Sequence, residues 1–90
     1  MKKDSDKNLK AKALLMKVDK IALDCGFYKE TGNQKNLSSN YRDPILPILV
    51  SFYATTGTIG ISYCKEPFKW FKGCELKKIE DIFKYPLNYV

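Results

Sequence analysis

The stretch SFYATTGTIGISY, residues 51–63, limits the possible folds of this chain more than any other. Just before and through it, Ile48, Val50, Phe52 and Ala54 alternate with Leu49, Ser51, Tyr53 and Thr55. Successive side chains of an extended chain point to opposite faces, so this alternation predicts a strand with one apolar face. A second strand follows, with Ile59, Ile61 and Tyr63 set against Thr58, Gly60, Ser62 and Cys64. Between them, Thr55-Thr56-Gly57 supplies a turn in which glycine takes the positive φ that tight hairpins need. Two strands cannot bury an apolar face by themselves, so the rest of the chain must cover it.

Covering elements are legible on both sides. From about Lys7 to Cys25, the residues Ala11, Leu14, Leu15, Val18, Ile21, Ala22 and Cys25 recur at helical spacing. Asp4, Ser5 and Asp6 are candidate caps after a frayed N-terminus at residues 1–6, and Gly26 sits where a left-handed helix end belongs. Near the other terminus, Leu76, Ile79, Ile82 and Phe83 form the stripe of a second helix over residues 74–84, closed by Pro86. A third strand is expected at residues 68–72, with Phe68 and Trp70 toward the core and Lys69 and Phe71 opposite. Residues 27–44 are rich in Gly, Asn, Ser and charge and read as a long loop carrying Arg42, the single arginine. The expected fold is therefore α+β: one domain over residues 1–90, ordered αβββα, with a three-stranded antiparallel meander and both helices on one sheet face. That order resembles the double-stranded RNA-binding domain. The lysine cluster that opens the last helix of that family is matched here by Lys77 and Lys78 alone, and the long loop departs from its pattern. An order of elements by itself carries no function.

Composition narrows the chemistry. With no histidine in 90 residues, the commonest general base is missing. Glu80 and Asp81 are adjacent and diverge by about 100° on a helix, so they form no catalytic pair. No phosphate-loop or nucleophile-elbow motif occurs. Cys25, Cys64 and Cys74 are too few and too scattered for a zinc site or a disulfide framework. Cys74 draws attention as a thiol expected at a helix N-terminus, downstream of Lys72, a setting that lowers thiol pKa. The expectation is a protein without enzymatic activity, cofactor or metal. No stretch approaches the ~20 apolar residues of a membrane helix, and Met1-Lys-Lys is followed by acidic residues rather than an apolar run, so an intracellular setting, cytoplasmic or nuclear, is expected.

The net charge of +6 is unevenly placed. Residues 1–20 hold a surplus of four positive charges and residues 65–72 a surplus of two, while the remainder balances. Such clusters favour polyanions. The face of the sheet away from the helices is expected to carry Ser51, Tyr53, Thr55, Thr58, Gly60, Ser62, Lys69 and Phe71. Aromatic rings there can stack bases while lysines hold phosphates. The candidate nucleic-acid-binding residues are Lys10, Lys17, Lys20, Arg42, Tyr53, Lys65, Lys69, Phe71 and Lys72, with Lys3 continuing the helix face. Lysine-dominated charge points to backbone contact with RNA or DNA rather than base reading, in which arginine is the commonest tool. The alternative is a protein-interaction module, a small subunit or inhibitor that docks on an acidic partner through the same lysines. Its anchor would be an edge strand at residues 45–50 or the apolar tail.

Overall fold

Five antiparallel strands, not three, form the sheet in the computed structural model. The model describes the backbone of residues 2–33 and 35–90, and side chains from Leu9 onward apart from residue 34. Helix α1 (Lys2–Asp24) is followed by β1 (Tyr28–Asn33), β2 (Ser38–Arg42), β3 (Ile48–Tyr53), β4 (Thr58–Tyr63), β5 (Lys69–Phe71), helix α2 (Leu76–Lys84) and a 3-10 turn at Pro86–Asn88. The strands lie in sequence order across the sheet, so each pairs with its chain neighbour. The protein is a small α+β domain, and its two extra strands end the likeness to the αβββα order.

The additional strands come from residues 27–44, which the sequence presents as a loop. β1 and β2 pair from Tyr28↔Arg42 to Asn33↔Ser38, with a bulge between Lys29 and Thr31. Their turn is built locally: the Asn33 side chain accepts the Asn36 N–H at 3.1 Å, and Leu37, at φ 49°, turns its side chain into the core. Leu37 also accepts the Ala54 N–H through its carbonyl at 2.9 Å, tying the turn to the end of β3. β1 is exposed throughout and β2 buries only Ser39 and Tyr41, so this hairpin lacks the apolar alternation that marks β3 and β4. Backbone pairing holds it, anchored by a few buried side chains.

α1 begins at Lys2, ahead of the expected start, so Asp4, Ser5 and Asp6 lie inside the helix rather than fraying or capping it. Met1 lies outside the described residues. The far end behaves as expected: Gly26 has φ 90°, its N–H donates to Leu23 O at 3.1 Å, and Phe27 N–H donates to Ala22 O at 2.8 Å. That pair of bonds is a Schellman motif, which satisfies the last carbonyls of the helix.

Both helices cover one face of the sheet. Ala11, Val18 and Ala22 of α1 and Ile79, Ile82 and Phe83 of α2 are buried with Ile48, Val50, Phe52, Ile59 and Ile61. The Phe83 ring meets Tyr41 of β2 edge-on at 5.3 Å and Phe27 at 5.2 Å. Tyr41 donates its hydroxyl to the Asp19 carboxylate of α1. Burial and that neighbouring carboxylate push the Tyr41 phenol far above its ordinary value. The tail returns over the same face: Tyr89 and Val90 pack against the core, and Tyr89 donates to Asp81.

Candidate functional site

The uncovered face of β3, β4 and β5 gathers three aromatic rings. Gly60 of β4 pairs with Trp70 of β5, and Ile59 with Phe71. Because Ile59 faces the helices, Phe71 does too, and Trp70 faces outward. This reverses the expected orientation of β5, which is also shorter than residues 68–72. The reason lies in the partner strand. A Cβ on Gly60 would come within 2.6 Å of the Trp70 ring, so the indole lies in the space that a side chain would fill. An aromatic ring laid over a strand glycine restores the packing that the glycine lacks. Phe71 instead meets Tyr89 edge-on at 5.7 Å, with the Lys78 ammonium 5.1 Å from its ring centre.

Trp70 is the centre of the outer cluster. Phe68 stacks on it at 5.3 Å with 22° between the planes, and Tyr53 of β3 lies 5.9 Å away at 52°. Trp70 is 47% exposed and Tyr53 38%, so both present ring surface to solvent. Beside them runs a hydrogen-bonded row. Ser51 Oγ donates to Asn40 Oδ1 at 2.7 Å, and Asn40 Nδ2 donates to Thr31 Oγ1 at 2.7 Å. The row fixes the side chains across three strands, and Ser62 donates to the Glu66 carbonyl farther along. The face is ordered by its own contacts.

Positive charge lies near the platform at the two ends of β5. Lys65, Lys69 and Lys72 are all exposed. Lys72 follows the edge strand, whereas Lys69 within it pairs with Ile61 and so points, like Phe71, to the helix side of the sheet rather than to the expected outer face. Lys65 sits at the corner from β4, where Cys64 and Lys65 take φ of 56° and 63° and Glu66 N–H donates to Tyr63 O at 3.1 Å. Two consecutive left-handed residues spanned by that bond make a type I′ turn, which thrusts the Lys65 side chain out at the tip.

The remaining candidates divide. Arg42 lies on the outer face, on β2 rather than on a movable loop, and its guanidinium is held by Glu30 of β1. That hydrogen-bonded pairing lowers the Glu30 pKa and raises that of Arg42, so the arginine's charge is already matched. Phe71 is on the covered face and leaves the site. Lys10, Lys17 and Lys20 are exposed on the side of α1 turned away from the sheet. The structure thus separates two basic surfaces, one on α1 and one beside Trp70, on opposite sides of the domain. The side chain of Lys3 lies outside the described residues. β3 runs between β2 and β4, so residues 45–50 offer no edge for a docking partner.

Cys74 precedes α2 rather than opening it, and burial pushes its thiol pKa up despite nearby Lys78. The sequence had pointed the other way. Among the described residues no group of His, Cys, Asp and Glu is placed to hold a metal ion, and no helix is long and apolar enough to cross a membrane.

Trp70 and Phe68 are the site residues that strand alternation missed. Gly60 was the available signal: a glycine inside a strand leaves a gap that a neighbouring strand's ring can fill. No protein-family model matches the chain, and no significant match was found among curated proteins or solved structures.

Proposed function

We propose that this chain is a small non-enzymatic nucleic-acid-binding module that uses the outer face of β3–β5. One observation carries the reading: Trp70, Tyr53 and Phe68 form an aromatic cluster with exposed ring surface on the uncovered sheet face, with exposed Lys65 and Lys72 at the two ends of β5. Every base has a flat face, so such a platform accepts unpaired bases of any sequence. Lysines beside it hold phosphates without reading sequence, and counterion release makes that hold salt-dependent. Stacking requires an unstacked base, so single strands of RNA or DNA fit this surface better than a duplex. The lysines of α1 lie too far round the domain to grip the same short segment and form a separate electrostatic surface.

Trp70 is the only tryptophan in the sequence, so its fluorescence reports this site alone. Titration with single-stranded and duplex oligonucleotides, followed by anisotropy of a labelled strand and by Trp70 emission, tests the proposal. The expected result is single-strand binding that weakens steeply with salt and quenches Trp70. Absence of binding at low salt, or binding that leaves Trp70 emission unchanged, overturns it.

A further inference from the structure

A second concave site lies between α1 and the β1–β2 hairpin, apart from the aromatic platform. It is a groove of about 490 Å³, within the range of small-ligand sites. Leu15, Met16 and Leu37 supply its apolar lining, and Lys12, Lys29 and Asp19 its charges. Met16 is 71% exposed and offers apolar surface at the groove's rim. Asp19 is fully engaged: one oxygen accepts from Tyr41, the other from Lys29 at 3.3 Å. Lys12 has no ion-pair partner among the described residues. The groove therefore carries more positive charge than it neutralises.

Its floor holds a second anomaly. Gly32 lines the groove, and the position a Cβ would occupy there is 3.6 Å from Ser39 Oγ and 2.9 Å from Lys29 Cε. Ser39 is 1% exposed, and its hydroxyl makes no well-formed hydrogen bond among the described residues, although the Tyr41 hydroxyl is close to it. A buried hydroxyl left unpaired is costly, and buried polar groups in native proteins are nearly always satisfied. Here the end of the Lys29 side chain covers the glycine gap that leads to it. A ligand that drew the Lys29 ammonium toward itself would uncover a hydroxyl ready to donate.

We propose that this groove binds a small organic anion with an apolar body, an alkyl or aryl carboxylate. The apolar body lies against Leu15, Met16 and Leu37. The carboxylate sits between Lys12 and Lys29 and accepts a hydrogen bond from Ser39 Oγ. The groove's apolar lining, its two lysines and the buried hydroxyl then share one ligand. The inference is independent of nucleic-acid binding, because none of these residues touches the aromatic platform.

The test uses decanoate as probe and 1-decanol as its uncharged match, with amide shifts of the full-length chain as readout. Decanoate is expected to shift amides of residues 12–19 and 29–39 with a Kd of about 1 mM or tighter, and 1-decanol to bind at least about tenfold more weakly. Lys12→Gln, an exposed and conservative change, is expected to weaken decanoate binding several-fold while leaving the rest of the amide spectrum in place. The proposal is overturned if decanoate leaves those amides unmoved, if its shifts map to another surface, or if 1-decanol binds equally well.

Discussion

Phe52 and Tyr53 are neighbours on β3 and opposites in setting. Phe52 is fully buried beneath the helices, whereas Tyr53 stands on the open face with 38% of its surface in solvent. The same contrast repeats on β5, where Phe71 turns inward to Tyr89 and Trp70 outward over Gly60. Burial explains the inner rings, since each removes a large apolar surface from water. It does not explain why the largest side chain in the sequence lies on the outer face. The lesson is that aromatic content alone says little here; which side of a pleat a ring occupies decides whether it fills the core or meets solvent.

Variants on the two faces are expected to move different observables. Phe52→Ala should have the largest effect, about 3–5 kcal/mol of stability, because nothing nearby can collapse into the cavity without disturbing both helices. A urea midpoint that barely moved would break the assignment of that face as the core. Tyr41→Phe should cost about 1.5–3 kcal/mol, since the hydroxyl it removes satisfies a carboxylate. The same pair sets a pH dependence. The folded state binds the Tyr41 proton more tightly than the unfolded chain does, so the contribution is full below pH ~10 and is lost as pH rises beyond it. Urea midpoints measured at neutral and alkaline pH should fall in the native chain more steeply than in Tyr41→Phe.

Outer-face variants should lower the midpoint less than Phe52→Ala does and act mainly on binding. Trp70→Ala is expected to cost about 1–3 kcal/mol of single-strand affinity. Gly60→Ala sharpens the comparison further, because it changes neither charge nor a ring. Its new Cβ displaces the indole, so Trp70 emission of the free protein should shift and affinity fall by about 1 kcal/mol. Lys65→Glu should have the smallest effect, a several-fold loss of affinity with the slope of log affinity against log salt shallower by about 1. Equal affinity for Lys65→Glu and the native chain would remove the β4–β5 corner from the proposed interface.

The sequence carried a great deal of this fold in a few local signals. The α1 stripe, its glycine end, the β3–β4 alternation and the turn at Gly57, which has φ 67°, are all as the residues imply. Each is written within one element, where spacing of apolar residues and one special backbone angle suffice. The β1–β2 hairpin was not legible. Its inward positions include Ser39 and Tyr41, its outward positions Ser38, Asn40 and Arg42, and only Tyr41 among these is apolar. Such strands form because a neighbour offers a ladder, and no periodicity announces that. The place of Tyr53 on the outer face was legible; the helix-side direction of Lys69 and the pairing of Arg42 with Glu30 were not, because they depend on the β4–β5 and β1–β2 registers.

Sequence by itself determined the class of fold, the identity of the covered face of β3 and β4, and the position of the charge surplus. Tertiary structure decided how many strands join the sheet and which way β5 faces. A three-residue strand is too short for its own alternation to choose a side. The choice fell to the register with β4, where the bare backbone of Gly60 admits the indole of Trp70 and the neighbouring Ile59 draws Phe71 beneath the helices.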